Sequence, residues 1–392
     1  MMWTTEMLSS VVNISPGNSI PAKKKSELFT GVKGMPYVAT KDVSFDGIIN
    51  YDNGICIPQD YLNNFRVSPK YATLICAEGG SAGRKIAFSH DECCYVNKLF
   101  SLQPTNKIIP KFLYYYSISA EFQLQFKAAL HGLIGGVSLT KMKKFAISYP
   151  SIPEQERIVA KLDAAFAEID SAIDMSTAKE NEVKKLDRFL LENLFKENFD
   201  IKKIGDLGDV KSGGTPKSTE QSYWNGEIDW YSSGELNNMY TSQTAKHITN
   251  KGLSNSNAKI FPKGSLLVGM YDTAAMKMSI LQKEATFNQA IVGIPPNEFA
   301  LPEYLFYALN FLKPKILLER RGVRQQNLSL AKIKNIDIPI PSMEQQQYIV
   351  SQANIAAQKT ESILKTLSSK KAQFGILKSA ILAQELQSSE AA

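Results

Sequence analysis

The sequence predicts a mixed α/β fold built twice. Two globular α/β domains alternate with two long antiparallel helices that pair as a coiled-coil spacer, under an internal pseudo-twofold repeat. Three observations predict it. The stretch YPSIPEQERIV returns late in the chain as IPSMEQQQYIV, and each match lies 191 positions from its twin, as in Pro150 and Pro341, Ser151 and Ser342, Gln155 and Gln346. That offset is close to half of the 392 residues, the mark of a duplicated unit. A long apolar stripe at helical spacing follows each copy, and a β-rich, loop-rich segment with one aromatic helix candidate precedes each. The boundaries drawn are 1–149 and 201–340 for the globular domains, and 150–200 and 341–392 for the helical spacer segments.

The globular segments match in order. TLICAEGGSAGRKIAF in the first answers SLLVGMYDTAAMKMSI in the second, Asn97 answers Asn288, PKFLYYY answers PEYLFYA, and VSLTKMKKFAISYPS answers LSLAKIKNIDIPIPS. One-residue changes of offset between these matches are what loop insertions between equivalent elements produce. Short apolar runs such as ATLICA, GSLLVGM and AIVGI read as strands, and KFLYYYSISAEFQLQFKAAL and PEYLFYALNFLKPKILLER each read as one aromatic helix.

The helical segments open on Ser151-Ile-Pro-Glu154 and Ser342-Met-Glu-Gln345, both spaced as capping boxes, with Pro153 in a first turn that needs no N–H from it. Behind the first, Leu162, Phe166, Ile169 and Ile173 step by four, three and four, and Val183, Leu186, Leu190 and Leu194 resume the stripe. The second runs through Ile349, Ala353, Ala356, Ile363, Leu367, Phe374, Leu377 and Ile381. At about 1.5 Å per residue each reaches on the order of 60–70 Å, too long to be covered by its own globular half. The helices therefore pack on each other. Leu162, Phe166, Ile169, Ile173, Ile349, Ile363 and Leu367 are the candidate spacer and partner-docking residues.

Composition narrows the class. With 44% hydrophobic and 21% charged residues the chain can bury real cores. It shows neither an apolar run of membrane-spanning length nor a secretory leader, so a cytoplasmic protein without a membrane partner is expected. Cys56, Cys76, Cys93 and Cys94 all fall in the first half, complete no zinc pattern, and read as reduced thiols. A formal charge of +7 permits a polyanion partner without establishing one.

Polar loops punctuate the strands: GGSAGRK (79–85), KSGGTPKST (211–219) and RRGVRQQNLS (320–329). Glycine-rich loops with Arg, Lys and Ser suit a phosphate backbone, and Arg and Gln can read base edges by paired hydrogen bonds. A glycine loop is more often only a turn, but Arg320, Arg321 and Arg324 beside Gln325, Gln326 and Asn327 exceed what solubility asks.

Together PSIPEQERIVAKLDAAFAEIDSAI, its echo PSMEQQQYIV, KIGDLGDVKSGGTPKS, YWNGEIDWYSSGEL, the FNQA segment and RQQNLSLAKIKNIDIPIPS resemble the specificity subunit of type I restriction-modification systems. The resemblance covers nearly the whole chain in segment order. The first half departs from it in lacking the segment from Trp224 to Trp230, with GMPYVATKDV (34–43) standing in its place. The resemblance implies two target-recognition domains, each reading a few base pairs of double-stranded DNA, and a helical pair fixing the gap between unlike half-sites at about 34–36 Å, one helical turn. It also implies two methyltransferase subunits as partners, and restriction subunits joined through that core. S-adenosylmethionine, ATP and Mg then belong to those partners, with no cofactor bound by this chain.

The residues agree that this chain is not the catalyst. IPPNEF (294–299) puts its asparagine after the prolines, unlike the adenine-methyltransferase motif, and GGTPKST lacks the Gly-Lys of a phosphate loop. Glu182 and Lys184 lie inside the helical stripe without an upstream Pro-Asp, and His90, His131 and His247 are scattered. The other reading is a recognition fragment of a fused restriction-methylation enzyme, or an anti-phage adaptor that binds something other than DNA. A bare coiled-coil scaffold leaves the large loop-rich domains unexplained. The candidate DNA-binding residues are Lys23, Lys24, Lys25, Lys41, Ser81, Arg84 and Lys85 in the first half. In the second they are Lys211, Ser212, Thr215, Ser232, Ser233, Tyr271, Asp272, Lys277, Arg320, Arg321, Arg324 and Gln325.

Overall fold

The computed structural model describes residues 3–131, 135–197, 199–321 and 328–387, without the side chains at position 272 and positions 319–321. The chain divides into two compact units, residues 1–176 with 369–392 and residues 177–368, so each long helix belongs in part to both.

In the first unit an antiparallel sheet has the order Val12–Pro16, Leu99–Pro104, Thr73–Cys76, Ile86–Phe88. Thr73–Cys76 is buried along its length, which is why ATLICA reads as a continuous apolar run rather than an alternating one. A second sheet has the order Cys56–Ile57, Met35–Val38, Cys93–Tyr95, Val67–Ser68, its two middle strands parallel. Thr4–Met7 pairs antiparallel with Ala146–Tyr149 and draws the two ends of the domain together. The aromatic segment is two helices, Pro110–Ile118 and Ala120–Ala129, rather than one. Ser119 breaks it, taking an extended backbone while its hydroxyl accepts from the Phe122 N–H.

The second unit repeats this plan. Lys211–Ser212, Ile291–Ile294, Leu266–Gly269 and Met278–Ile280 form the four-stranded sheet, and Asp200–Lys203 pairs with Asp337–Ile340. Trp224–Tyr231 lies between His247–Ile248 and Thr286–Phe287, parallel to the latter. Tyr37 and Val38 face Cys94 and Tyr95 as Trp230 and Tyr231 face Thr286 and Phe287, so the first-half segment 34–43 does stand where the tryptophan segment stands in the second. Pro302–Arg321 is here a single helix, with Pro314 inside it.

The long helices run Ile152–Leu194 and Met343–Leu386, 43 and 44 residues, or about 65 Å each. Their pairing is antiparallel within each unit. In the first, Arg157 and Lys161 meet Glu385 while Asp170 meets Lys378; in the second, Thr360 donates to Asp187 at 3.2 Å. The predicted stripe is partly followed. Leu162, Ile169, Ile349 and Leu367 are buried, and Phe166 is half-buried, edge-on to Tyr115 with Lys378 over its ring. Ile173 is half-buried, whereas Leu186, Leu190, Ile363 and Leu377 are exposed.

The recurring motif does more than start a helix. Gln155 is fully buried: its Oε1 accepts from the Ile109 N–H at 2.8 Å, and its Nε2 donates to the carbonyls of Lys107 and Pro150. Gln346 does the same with the Leu301 N–H and the carbonyls of Phe299 and Pro341. Two turns along, Asp163 accepts from the Tyr115 hydroxyl and Asn354 from the Tyr307 hydroxyl. Each helix is thus stitched twice to the loop and aromatic helix of its own domain. The second capping box forms between Ser342 and Gln345 as predicted. The first does not: Glu154, its side chain largely covered, pairs with Arg157 through both carboxylate oxygens.

Each core also takes in the end of the other long helix. Leu382, with Ile381 and Leu386 beside it, packs with Leu8, Phe112, Ile158 and Leu162 in the first unit. Phe195, with Leu191 and Leu194, packs with Tyr304, Ile349 and Ala353 in the second. All four cysteines are free, and burial pushes Cys93 up to about 12 and Cys94 up to about 11, leaving both as neutral thiols at physiological pH.

Candidate nucleic-acid interface

Both domains build one arrangement where the parallel strand pair ends. In the first, Met35–Val38 runs into a short 3₁₀ turn, Thr40–Asp42, closed by the Asp42 carboxylate accepting from the Ala39 N–H at 2.9 Å. In the second, Trp224–Tyr231 runs into Ser233–Glu235, closed by Glu235 accepting from the Ser232 N–H at 2.8 Å. A lysine just before a strand of the other sheet then crosses over, to the turn itself in the first domain and to Asn237, just beyond the turn, in the second. Lys85 Nζ donates to the Thr40 carbonyl at 2.9 Å, and Lys277 Nζ to Asn237 Oδ1 at 2.9 Å. The two lysines are equivalent in the repeat, so the fold places one cation in both domains at the same point.

Around that common frame the side chains differ. In the first domain Lys41 is exposed on the turn, Arg84 is exposed on the adjoining loop, and Arg84 and Lys85 both lie over the ring of Phe45, at 4.9 and 5.1 Å. In the second, Ser232 spends its hydroxyl on Glu235 at 2.7 Å, Ser233 is half-buried, and Tyr271 is exposed on the loop before Lys277. Burial opposes ionisation of Glu235, but hydrogen bonds from Ser232, Ala245 and Thr244 outweigh it and hold its pKa below the usual carboxylate range. Burial lowers the pKa of Lys313 on the helix Pro302–Arg321, and the nearby Lys277 charge adds to the effect, so Lys277 is not the one cation there.

The glycine loops spend many of their N–H groups within the protein. In 79–85 the N–H groups of Gly79, Ala82, Gly83, Arg84 and Lys85 all donate to protein carbonyls. Gly213 and Gly214 donate to Ile291 and Phe287. Gly213 is required by close approach instead: a Cβ there would lie 2.1 Å from the Phe287 carbonyl oxygen. These loops also offer a polyanion side chains. Ser81 is half-buried and its carbonyl accepts from Arg84 and Lys85. Lys211 is paired with Asp209, and the Thr215 hydroxyl donates to Gln289. Ser212 and Thr215 line an open polar cleft of about 490 Å³ with Asn257, Lys259 and Gln289. Lys23, Lys24 and Lys25 lie on the short helix Ala22–Leu28, the first two exposed and Lys25 over the Tyr37 ring at 5.4 Å.

Arg324 and Gln325 lie outside the described residues, as do the side chains of Asp272, Arg320 and Arg321. Sequence reasoning missed Asp42, Glu235 and Phe45. The first two could have been found by aligning YVATKD with WYSSGE. Phe45 has no counterpart in the second half that would have singled it out.

A family model described as the type I restriction modification DNA specificity domain matches the chain twice, over residues 2–185 and 196–364. The chain belongs to this family. Its repeated unit is the family's domain, and as a specificity subunit it is a recognition chain rather than a catalyst. It is 32% identical over 180 residues to the MjaIX specificity subunit of Methanocaldococcus jannaschii, covering 42% of this chain but only 41% of that relative. It is 24% identical to the EcoR124I/EcoR124II specificity subunit of Escherichia coli, covering 72% of this chain and 71% of the other. In fold it is similar to a chain from a structure concerned with complex assembly and conformational transition of the type I R-M system, at a TM-score of 0.77, 16% identity and coverage of 98% and 97%. It is also similar to the HsdS subunit from Thermoanaerobacter tengcongensis, at a TM-score of 0.53, 17% identity and coverage of 98% and 96%. Among the described residues no helix is long and apolar enough to cross a membrane, and no cluster of His, Cys, Asp and Glu is placed to hold a metal ion.

Proposed function

We propose that each globular domain reads one half of an asymmetric, two-part duplex DNA target, and that the paired helices set the gap and dock two methyltransferase subunits. Restriction subunits join through that core, and S-adenosylmethionine, ATP and Mg act on the partners. The observation that supports this most is the lysine-and-turn frame present in both domains with different side chains around it. A conserved frame gives each domain the same approach to a phosphate backbone, while unlike side chains give unlike base readings. The exposed apolar residues Leu186, Leu190, Ile363 and Leu377 on the long helices are surface available to the methyltransferase partners.

The experiment is a genome-wide map of methylated adenine in cells carrying this chain with its methyltransferase subunit. A two-part asymmetric motif that disappears when this chain is deleted supports the reading. A map indifferent to the deletion, with both subunits present, rejects it.

A further inference from the structure

The first domain carries a feature the second lacks, a tight hairpin over residues 43–49 that presents apolar side chains to solvent. Val43 bridges Ile49, the Ser44 N–H donates to the Ile48 carbonyl at 2.9 Å, and the Ser44 hydroxyl accepts from the N–H groups of Asp46 and Ile48. Its base is fixed by fully buried Val43 and by the Asn50 N–H on the Asp42 carbonyl at 2.8 Å. Gly47 turns the tip with φ +77, backed against the Ile86 carbonyl and the Tyr114 hydroxyl. On this stiff support Phe45 is 57% exposed and Ile48 67%.

A single exposed apolar side chain is ordinary on any protein surface. Two on one braced tip, with Arg84 and Lys85 over the ring and Lys41 on the adjoining turn, is a different matter. Against those three cations stand Asp46 on the hairpin and Asp42 on the turn with Lys41, the latter acid buried and accepting from the Ala39 N–H. The chemistry that fits is a polyanion carrying flat apolar faces: phosphates for the cations and stacked bases for the ring.

We propose that Phe45 is a wedge that enters a base step in the half-site read by the first domain, while Arg84 and Lys85 hold the flanking phosphates. This rests on the DNA-reading function proposed above and adds to it a deformation of the duplex in one half-site only. Phe45 would then contribute selectivity for easily unstacked steps without hydrogen-bonding any base edge.

The test uses the full chain assembled with its methyltransferase subunits, on duplexes bearing the mapped motif with 2-aminopurine placed in turn at each position of both half-sites. Besides the adenines that the methyltransferase subunits flip out, binding of the unaltered complex is expected to raise fluorescence at one further step, in the half-site of the first domain. Phe45→Ala should abolish that rise and weaken binding about tenfold with an unchanged salt slope, and Phe45→Leu should keep part of both. Arg84→Ala should instead flatten the salt slope. Because Phe45 is exposed, a melting curve matching the parent's will show that the variants fold. The wedge is rejected if no position brightens apart from the flipped target adenines, or if Phe45→Ala binds and methylates as the parent does. It is rejected too if Phe45→Ala leaves DNA binding intact but loosens the methyltransferase subunits, which would make the hairpin a protein contact. If the parent complex discriminates its motif and Arg84→Ala is impaired, the DNA-reading function stands without the wedge; if the parent shows no discrimination, both fall.

Discussion

Gln155 and Gln346 show what a single residue does here. Each sits buried at a helix start and satisfies three backbone groups of the loop beside it. Replacing Gln155 by Leu keeps the volume roughly but leaves the Ile109 N–H and two carbonyls without partners in a dry place. The expected loss is about 1–3 kcal/mol for the first unit, the cost of a stranded buried polar group, read as a lower denaturant midpoint. The equivalent change at Gln346 should fall on the second unit. The repeat made these two glutamines visible in the sequence, but not their work. Spacing assigned Ser151 and Glu154 to a cap, and nothing in a linear pattern tells which helix face will meet a loop 46 residues away. The turn-closing acids Asp42 and Glu235 were hidden for a related reason: a carboxylate that bonds the backbone three residues earlier looks, in sequence, like any surface acid.

At the scale of elements, the strands Thr73–Cys76, Leu266–Gly269 and Ile291–Ile294 and the long helices were legible because duplication doubles the signal. The segment 34–43, legible only as standing in for the tryptophan segment, holds the strand Met35–Val38, the twin of Trp224–Tyr231. What was not legible was how the helices are shared. The stripe residues Leu186, Leu190 and Ile363 fit the helical period yet are exposed, because two paired helices bury only a narrow seam and the stripe drifts away from it along 40 residues. Nor does sequence say that the last turns of the second long helix complete the core of the first domain. Leu382 is 6% exposed there, among Leu8, Phe112, Ile158 and Leu162. Leu382→Ala should therefore destabilise the first unit, by about 2–5 kcal/mol, although it lies far closer in sequence to the second. Hydrogen exchange would show it: amides of Thr73–Cys76 should lose protection, and those of Leu266–Gly269 should keep theirs. The opposite pattern would mean that the end of this helix belongs elsewhere.

For the molecule as a whole, the consequence of duplication is that one lysine-and-turn frame is mounted twice on separate compact units. Lys85 and Lys277 hold equivalent positions, each tying a strand start to the turn beyond the parallel pair or to the chain just past it. Lys85 bonds within the first domain's loops and Lys277 within the second's. Removing one lysine frees its turn and takes a cation from that domain alone. Lys85→Ala should accordingly weaken binding to all sequences and, through the freed turn and the side chains it carries, broaden the first domain's half of the methylated motif. Lys277→Ala should do the same for the second domain's half. In the double variant the losses should add, as they do for changes without shared contacts. The same adenine-methylation map used to find the motif gives the outcome, scored separately for each half. Losses confined to one half per substitution mean that the halves are read independently, so that specificity can change in one domain without cost to the other. Loss in both halves from either substitution would mean that the domains couple through the shared helices, and that the target is read as one site rather than two.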